Sequence, residues 1–349
     1  MTETDRATRA AAYFGKLRDA HVAALWTIPG TLATEPTLDE VPYVWHADEI
    51  FPLLFEAVEI ADLGEETDRR ALNASNPNRV FGTSHNLVAG YQLVLPGETA
   101  PAHRHTPSAI RLLLQGSGHT TVDGEPVLMK RGDLVLTPPN TWHDHRHNGD
   151  VPMIWLDGLD VPFVRGQHAQ FAEEYENGEL QKLTKTEDAS VHRYFAGLNP
   201  VDEAWTAQHS PLNKYPYDVA RVALDTFHDA EGAPVTGSTL EYVNPLTGGH
   251  VIPTLASYLT LIPEGGRSVR ERHTPSKVYC VLEGSGYSLI EGKRYDWAEN
   301  DFFVVPSWHW YEHVAGSGDA VLFSLSDLPI YEPFGLLRRQ IVEPAQDNA

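Results

Sequence analysis

Two histidines one residue apart, His103 and His105, lie in the stretch PAHRHTPSAI at 101–110, whose pattern predicts a β-strand. Residues i and i+2 of a strand project to the same face, so both imidazoles would point into one cavity. A third histidine, His143, follows in the stretch TPPNTWHDH. Three neutral imidazoles without a carboxylate or thiolate suit Zn, Cu, Fe or Ni about equally. The alternative is that each histidine is a polar residue satisfied by hydrogen bonds.

The chain repeats itself after 168 residues, since HTPS at 105–108 recurs at 273–276 and GSG at 116–118 recurs at 284–286. Comparison of 97–147 with 265–315 gives 15 identities in 51 positions without a gap. A repeat in one fixed register indicates two copies of the same domain.

The second copy is an internal control for the metal hypothesis. His103 corresponds to Glu271, His143 corresponds to Tyr311, and His105 is retained as His273. The scaffold residues persist while two of the three candidate ligands change. This is expected if the first copy binds the metal and the second is structural. A weak metal site formed by Glu271, His273 and Tyr311 is the less favoured alternative.

The elements that must position these residues are mostly short strands. From about residue 81, β-prone runs alternate with Gly, Pro and Asp, as in an all-β sandwich or barrel. An Ala- and Arg-rich stretch from about residue 5 to 25 predicts a helix. We divide the chain into a partly helical N-terminal arm (1–80), a metal-binding domain (81–160), a partly helical connecting segment (161–240), a second domain (241–335) and a tail (336–349).

Composition restricts the classes of partner. The 349 residues carry a formal net charge of −22, which argues against nucleic-acid binding. The single cysteine, Cys280, excludes an internal disulfide, and its apolar surroundings predict buried packing. No apolar stretch approaches membrane-spanning length, and MTETDRATRA lacks the apolar core of a signal peptide. We therefore expect a cytoplasmic protein without a membrane partner.

The glycine, proline and histidine spacing around the three histidines resembles the two motifs of the cupin superfamily, whose fold is a small double-stranded β-helix barrel. In that superfamily the three histidines converge on one metal. The usual fourth ligand, a glutamate, would fall at Ala109 here. The resemblance implies an all-β bicupin with a three-histidine site in its first barrel.

Longer stretches are similar to the gentisate 1,2-dioxygenase family of ring-cleaving bicupins, which includes salicylate, 1-hydroxy-2-naphthoate and 5-nitrosalicylate dioxygenases. They are PGETAPAHRHTPSAIRLLLQGSG, RGDLVLTPPNTWHDH and EYVNPLTGGHVIPT. The resemblance implies one Fe(II) per chain on His103, His105 and His143, and a homotetramer. It also implies that O₂ cleaves a 2-hydroxybenzoate between the carbons that bear the carboxyl and hydroxyl groups.

Two arginines are candidates for binding the substrate carboxylate. Arg111 lies six residues after His105, so on a regular strand it faces the same interior. An inward arginine is costly unless it pairs with an anion, which is either the substrate or a structural aspartate. The family resemblance assigns the second cation, reaching in from the N-terminal region, to Arg70 in TDRRAL.

Proton handling is assigned by resemblance to His145, with Asp157 as the group that orients it. His145 is two residues beyond His143 and therefore on the same strand face. Its recurrence as His313 in the second copy leaves a structural role open.

The strand before the first motif predicts the substrate preference. Gln92 and Gly90 lie on the face that family members present to the ligand. The family's usual LWAAIQY reads LVAGYQL at 87–93, so Val88 and Gly90 replace larger residues. A smaller wall favours salicylate or a 5-substituted salicylate, such as 5-nitrosalicylate, over gentisate.

Three alternatives stay open. The first is a gentisate 1,2-dioxygenase proper, which would make maleylpyruvate. The second is a ligand-binding bicupin without catalysis, which would be favoured by loss of the histidines from both copies. The third is a cupin decarboxylase or isomerase, which usually keeps the carboxylate ligand that Ala109 replaces.

Overall fold

The computed structural model describes residues 2–60, 69–195, 198–201 and 204–342. The chain forms two compact units, residues 1–39 and residues 40–349. In the first unit, helix α1 (Glu3–Asp19) begins with a capping box between Thr2 and Asp5. It ends earlier than the sequence predicts because His21 adopts a left-handed conformation with φ 53°. A 3₁₀ turn follows at Leu25–Thr27.

Among its described residues, the second unit contains five further α-helices and two sets of strands. The helices are α2 (Ala47–Ile60), α3 (Val161–Gly166), α4 (Ala189–Tyr194), α5 (Tyr217–Ala230) and α6 (Leu328–Tyr331), with a 3₁₀ turn at Glu176–Gly178. The strands up to the connecting segment are β1 (Tyr43–Trp45), β2 (Arg70–Asn73), β3 (Val88–Val94), β4 (Thr99–His105), β5 (Ala109–Gln115), β6 (Gly118–Val122), β7 (Glu125–Met129), β8 (Leu134–Thr137), β9 (His143–Arg146), β10 (Met153–Leu159), β11 (Ala172–Glu174) and β12 (Lys214–Tyr215). The remaining strands are β13 (Ser238–Tyr242), β14 (Ala256–Ile262), β15 (Arg270–His273), β16 (Lys277–Glu283), β17 (Ser285–Ile290), β18 (Lys293–Ala298), β19 (Phe302–Val305), β20 (Tyr311–Ala315), β21 (Ala320–Ser326) and β22 (Arg339–Val342).

The strands form two barrels, each made of a six-stranded and a five-stranded sheet. The first barrel contains β12-β8-β5-β10-β3-β2 and β11-β4-β9-β6-β7. The second contains β1-β19-β16-β21-β14-β13 and β18-β17-β20-β15-β22. The all-β, two-barrel architecture expected from the repeat is confirmed.

Both barrels extend beyond the limits expected from the sequence. Strand β1 of the predicted arm pairs with β19 of the second barrel, and β2 pairs with β3 of the first. Strands β11 and β12 of the connecting segment pair with β4 and β8, and β22 of the predicted tail pairs with β15. These strands of two to four residues are too short to show a periodic pattern. Residues 61–68 of the arm and 343–349 of the tail lie outside the described residues.

The two six-stranded sheets share one core. On β5, Ile110 and Leu112 belong to this shared core, whereas Leu113 packs in a separate cluster inside the first barrel. Cys280 is fully buried in the shared core beside residues such as Phe323, which confirms its predicted packing role. Burial raises the pKa of the Cys280 thiol, so it is not a nucleophile. Within the described residues, no helix is long and apolar enough to cross a bilayer.

Candidate metal centre

Pairing of β4 with β9 brings three histidines together inside the first barrel. His103 lies opposite His143, and the register of the pair shifts between Ala100 and His103. The ring centroids are 4.2 Å apart for His103 and His143, 4.9 Å for His105 and His143, and 5.3 Å for His103 and His105. One nitrogen from each ring lies within 4.8 Å of the others. In the described part of the chain, this is the only group of His, Cys, Asp or Glu that could hold a metal ion.

Backbone carbonyls select the ring nitrogens that can bind the metal. Nδ1 of His105 lies 2.7 Å from the Pro107 carbonyl oxygen, and Nδ1 of His143 lies 3.1 Å from that of Thr141. A hydrogen on each Nδ1 leaves a lone pair on Nε2, the arrangement of a metal-ligating histidine. Nε2 of His143 is buried and has no hydrogen-bond partner within the described residues. The donor set therefore fits a divalent transition metal.

Electrostatics keeps all three imidazoles neutral. Burial, with the nearby Arg69 charge, lowers the pKa of His103 to about 2. Burial lowers the pKa of His105 to about 4, with a further contribution from Arg111. The pKa of fully buried His143 is also well below its ordinary value, first because of burial and then because of Arg111. At neutral pH, protons do not compete with a metal for these nitrogens.

Arg69 contacts His103, whereas the family resemblance implies Arg70 as the cation that reaches the substrate from the N-terminal region. Arg69 donates to the Pro101 carbonyl oxygen at 2.7 Å, and its Nη2 lies 2.5 Å from Nδ1 of His103. Arg70 forms an ion pair with Glu98. A shift of one residue on a strand exchanges its two faces, so Arg69 and Arg70 project in opposite directions. Ala71 lies opposite Gln92 on β3. Arg69 precedes Ala71 by two residues, so the two-residue period of a strand places it on the same face as Ala71.

Arg111 is buried on β5 and lies opposite Asp157 on β10. Its Nε is 3.4 Å from Oδ1 of Asp157, and its Nη1 donates to the Thr137 hydroxyl. The structural aspartate considered in the sequence analysis is therefore present. The pair is loose, since neither Arg111 Nε nor Asp157 Oδ1 makes a hydrogen bond within the described residues. Burial raises the pKa of Asp157 and the Arg111 charge opposes this shift.

His145 is oriented by a threonine and not by Asp157, the residue expected from the family resemblance. The hydroxyl oxygen of Thr120 lies 2.9 Å from Nδ1 of His145, and both side chains are fully buried. Nε2 of His145 is buried and unpartnered within the described residues. Its ring contacts Trp155 at 4.9 Å between centroids. The same contact recurs in the second barrel, where Ser288 pairs with His313.

The residues expected to shape the pocket lie on the interior face of β3. Gln92 is buried, and its Nε2 has no hydrogen-bond partner in the described ranges, so it can donate to a ligand. Val88 is buried on the same face. A Cβ at Gly90 would collide with the backbone of Leu72 and Asn73 on β2. Gly90 therefore allows β2 to approach, and its missing side chain does not by itself widen the pocket.

The second barrel contains a closed hydrogen-bond network at the corresponding position. The Tyr311 hydroxyl donates to Glu271 at 2.6 Å and lies 2.9 Å from Nε2 of His273. Arg339 donates to the other Glu271 oxygen at 2.6 Å. Lys277 takes the place of Ala109, and its Nζ lies 3.4 Å from the Tyr311 hydroxyl. Arg339 and Lys277 thus place positive charge at the position of the second barrel that corresponds to the three histidines of the first.

Comparison with known proteins agrees with this geometry. The cupin domain family matches residues 90–159 and 258–326. Gentisate 1,2 dioxygenase 1 of Aquipseudomonas alcaligenes is 40% identical over 332 residues, which cover 93% of this chain and 94% of that protein. The 5-aminosalicylate 1,2-dioxygenase of Comamonas sp. is 34% identical over 92% of this chain and 87% of its own length.

The structure of salicylate 1,2-dioxygenase from Pseudaminobacter salicylatoxidans matches with a TM-score of 0.87 and 32% identity, over 95% of this chain and 96% of that chain. The protein is thus a bicupin. It belongs to the gentisate and salicylate 1,2-dioxygenase family and is a ring-cleaving dioxygenase.

The two barrels provide a matched pair of variants for the metal site. His105→Ala should abolish stoichiometric iron binding, because it removes one of three ligands. His273→Ala, the same change in the second barrel, should leave one iron per chain, since His273 is committed to Tyr311. Iron is measured by elemental analysis after anaerobic reconstitution. Two irons per wild-type chain, or full occupancy in His105→Ala, would contradict the assignment.

Proposed function

We propose that the protein is an Fe(II)-dependent dioxygenase that uses O₂ to open a 5-substituted 2-hydroxybenzoate between its carboxyl- and hydroxyl-bearing carbons. The three neutral histidines beside buried cationic side chains carry the proposal. A neutral ligand set leaves the anionic substrate to balance the metal charge. The choice of iron over zinc, copper or nickel rests on membership of the family, because imidazole ligands suit all four.

His103, His105 and His143 would hold the metal ion, which would supply Lewis-acid and redox chemistry for the reaction with O₂. Arg111 on β5 and Arg69, which directly precedes β2, provide positive charge for the substrate carboxylate. Burial is the largest cause that lowers the pKa of His143 and His145, and the Arg111 charge is the next. In a site shielded from water such charge attracts an anion more strongly than at the surface.

The substrate hydroxyl needs a proton acceptor and a fixed orientation. We assign the acceptor to Nε2 of His145, which is buried in the same cavity. Gln92 can donate its amide hydrogen to a substrate oxygen. Trp155 and Val94 belong to the apolar cluster of the barrel interior and exclude water from the ring.

We propose a 5-substituted salicylate as the preferred substrate, because Val88 replaces the larger residue that the family usually places in this strand. The relative that acts on 5-aminosalicylate, as its name states, is compatible with this class. Gentisate is the second candidate. It is favoured by the 40% identity to gentisate 1,2 dioxygenase 1.

We further propose that the enzyme works as a cytoplasmic homotetramer, as the family resemblance implies. The N-terminal unit exposes apolar side chains, including Trp26 at 74% and Leu32 at 96%. Exposed apolar side chains of this size are typical of interfaces.

Two adjacent arginines test the carboxylate assignment. Arg69→Gln should raise KM for the aromatic acid at least tenfold, because it removes a half-buried positive charge assigned to the substrate carboxylate. Arg70→Gln should leave KM within about twofold, since Arg70 pairs with Glu98. Both variants should retain iron. Steady-state kinetics that show equal effects for the two variants would exclude Arg69 as the substrate-binding arginine.

Substrate preference is tested by kcat/KM for gentisate, salicylate, 5-aminosalicylate and 5-nitrosalicylate. We expect 5-substituted salicylates to match or exceed gentisate. Val88→Trp should shift the ratio towards gentisate by about ten- to a hundredfold, since one misplaced apolar group is worth about 1–3 kcal/mol. A hundredfold preference for gentisate that Val88→Trp does not change would make this a gentisate dioxygenase proper.

A further inference from the structure

A hydroxyl–imidazole pair occurs at the same position of both barrels. Thr120 and His145 form it in the first barrel, with 2.9 Å between Oγ1 and Nδ1. Ser288 and His313 form it in the second, with 2.7 Å between Oγ and Nδ1. All four residues are buried, so the direction of each hydrogen bond depends on the third group that contacts the hydroxyl.

In the second barrel the third group is a donor. Nε1 of Trp297 donates to Ser288 Oγ at 3.0 Å. An indole nitrogen cannot accept, so the Ser288 hydrogen is satisfied by donation to Nδ1 of His313. His313 then carries its own hydrogen on Nε2, beside the Tyr279 ring at 4.5 Å between centroids. An aromatic ring face accepts a weak hydrogen bond from such a group.

In the first barrel the third group is an acceptor. Met129, which replaces Trp297, places its Sδ 3.2 Å from Thr120 Oγ1. The thioether carries no hydrogen, so the hydroxyl can donate to sulfur and accept from Nδ1 of His145. Arg111 stands where the second barrel has Tyr279. Nε2 of His145 is buried without a hydrogen-bond partner in the described residues.

We propose that the hydroxyl–histidine hydrogen bond runs in opposite directions in the two barrels, so that His145 is an acceptor at Nε2 and His313 is a donor. Thr120 and Met129 are positioning residues that hold His145 as its Nδ1–H tautomer. Resting on the proposed function, this tautomer presents the Nε2 lone pair of His145 to the substrate hydroxyl, while the Nδ1–H bond to Thr120 fixes the orientation of the ring.

The test reads the tautomers directly. Ring ¹⁵N NMR is recorded on full-length protein loaded with diamagnetic Zn(II), with the resonances assigned from His145→Gln and His313→Gln. We expect the hydrogen on Nδ1 in His145 and on Nε2 in His313. The same tautomer in both residues would overturn the proposal.

Two methionines of the same apolar cluster provide matched variants. Met129→Leu removes the sulfur acceptor, so the Thr120 hydrogen turns to Nδ1 and His145 becomes the Nε2–H tautomer. Met153→Leu makes the same change at the other methionine of the cluster, whose sulfur makes no hydrogen bond with Thr120 in the described residues, and should leave His145 unchanged. An unchanged His145 tautomer in Met129→Leu would also overturn the proposal.

Turnover gives an independent readout. Met129→Leu and Thr120→Val should lower kcat about tenfold or more, with KM within about twofold, as loss of a well-poised proton acceptor predicts. Thr120→Ser should restore kcat, because it restores the hydroxyl. If wild type consumes no O₂ with any hydroxybenzoate, the proposed function fails, while the tautomers measured in the zinc protein still decide this inference.

Discussion

Burial of the six-stranded sheets on both faces is the constraint on which the rest of the structure depends. Every second residue of β3, β5 and β10 is committed to the core shared by the barrels. The intervening residues face a barrel interior and are free to form a site. Arg111 and Leu112 illustrate this, because adjacent residues serve the cavity and the shared core respectively. The site therefore stands on rigid strands whose positions are fixed by packing elsewhere.

The two barrels share one scaffold but differ in how their buried polar side chains are hydrogen-bonded. In the second, Tyr311, Glu271 and Lys277 form a hydrogen-bonded network that includes both charges, and Nε2 of His313 is buried without a partner in the described residues. In the first, polar atoms of Gln92 and His143 are buried without partners in the described residues. Buried unpaired groups cost stability in an otherwise well-packed protein. Their concentration in one cavity is typical of a site completed by a metal and a ligand.

Much of this could be predicted from the sequence, because its signals are periodic or repeated. The repeat predicted two barrels, and the i, i+2 spacing of His103 and His105 predicted their common face. Short strands such as β1 and β22 could not be predicted, since their partners are distant in the sequence. The contact of Arg69 with His103 could not be predicted, because the register of β2 depends on tertiary pairing. The contact between Thr120 and His145 crosses strands in the same way and becomes visible only in the folded barrel.

We propose that one metal binds in the first barrel. In the second barrel, hydrogen-bonded side chains occupy the corresponding position. Anomalous diffraction at the iron absorption edge, from crystals of anaerobically iron-reconstituted protein, tests it most directly. We expect one strong anomalous-difference peak per chain, about 2.1 Å from a ring nitrogen of each of His103, His105 and His143. A peak among Glu271, His273 and Tyr311, or none at the three histidines, would contradict it.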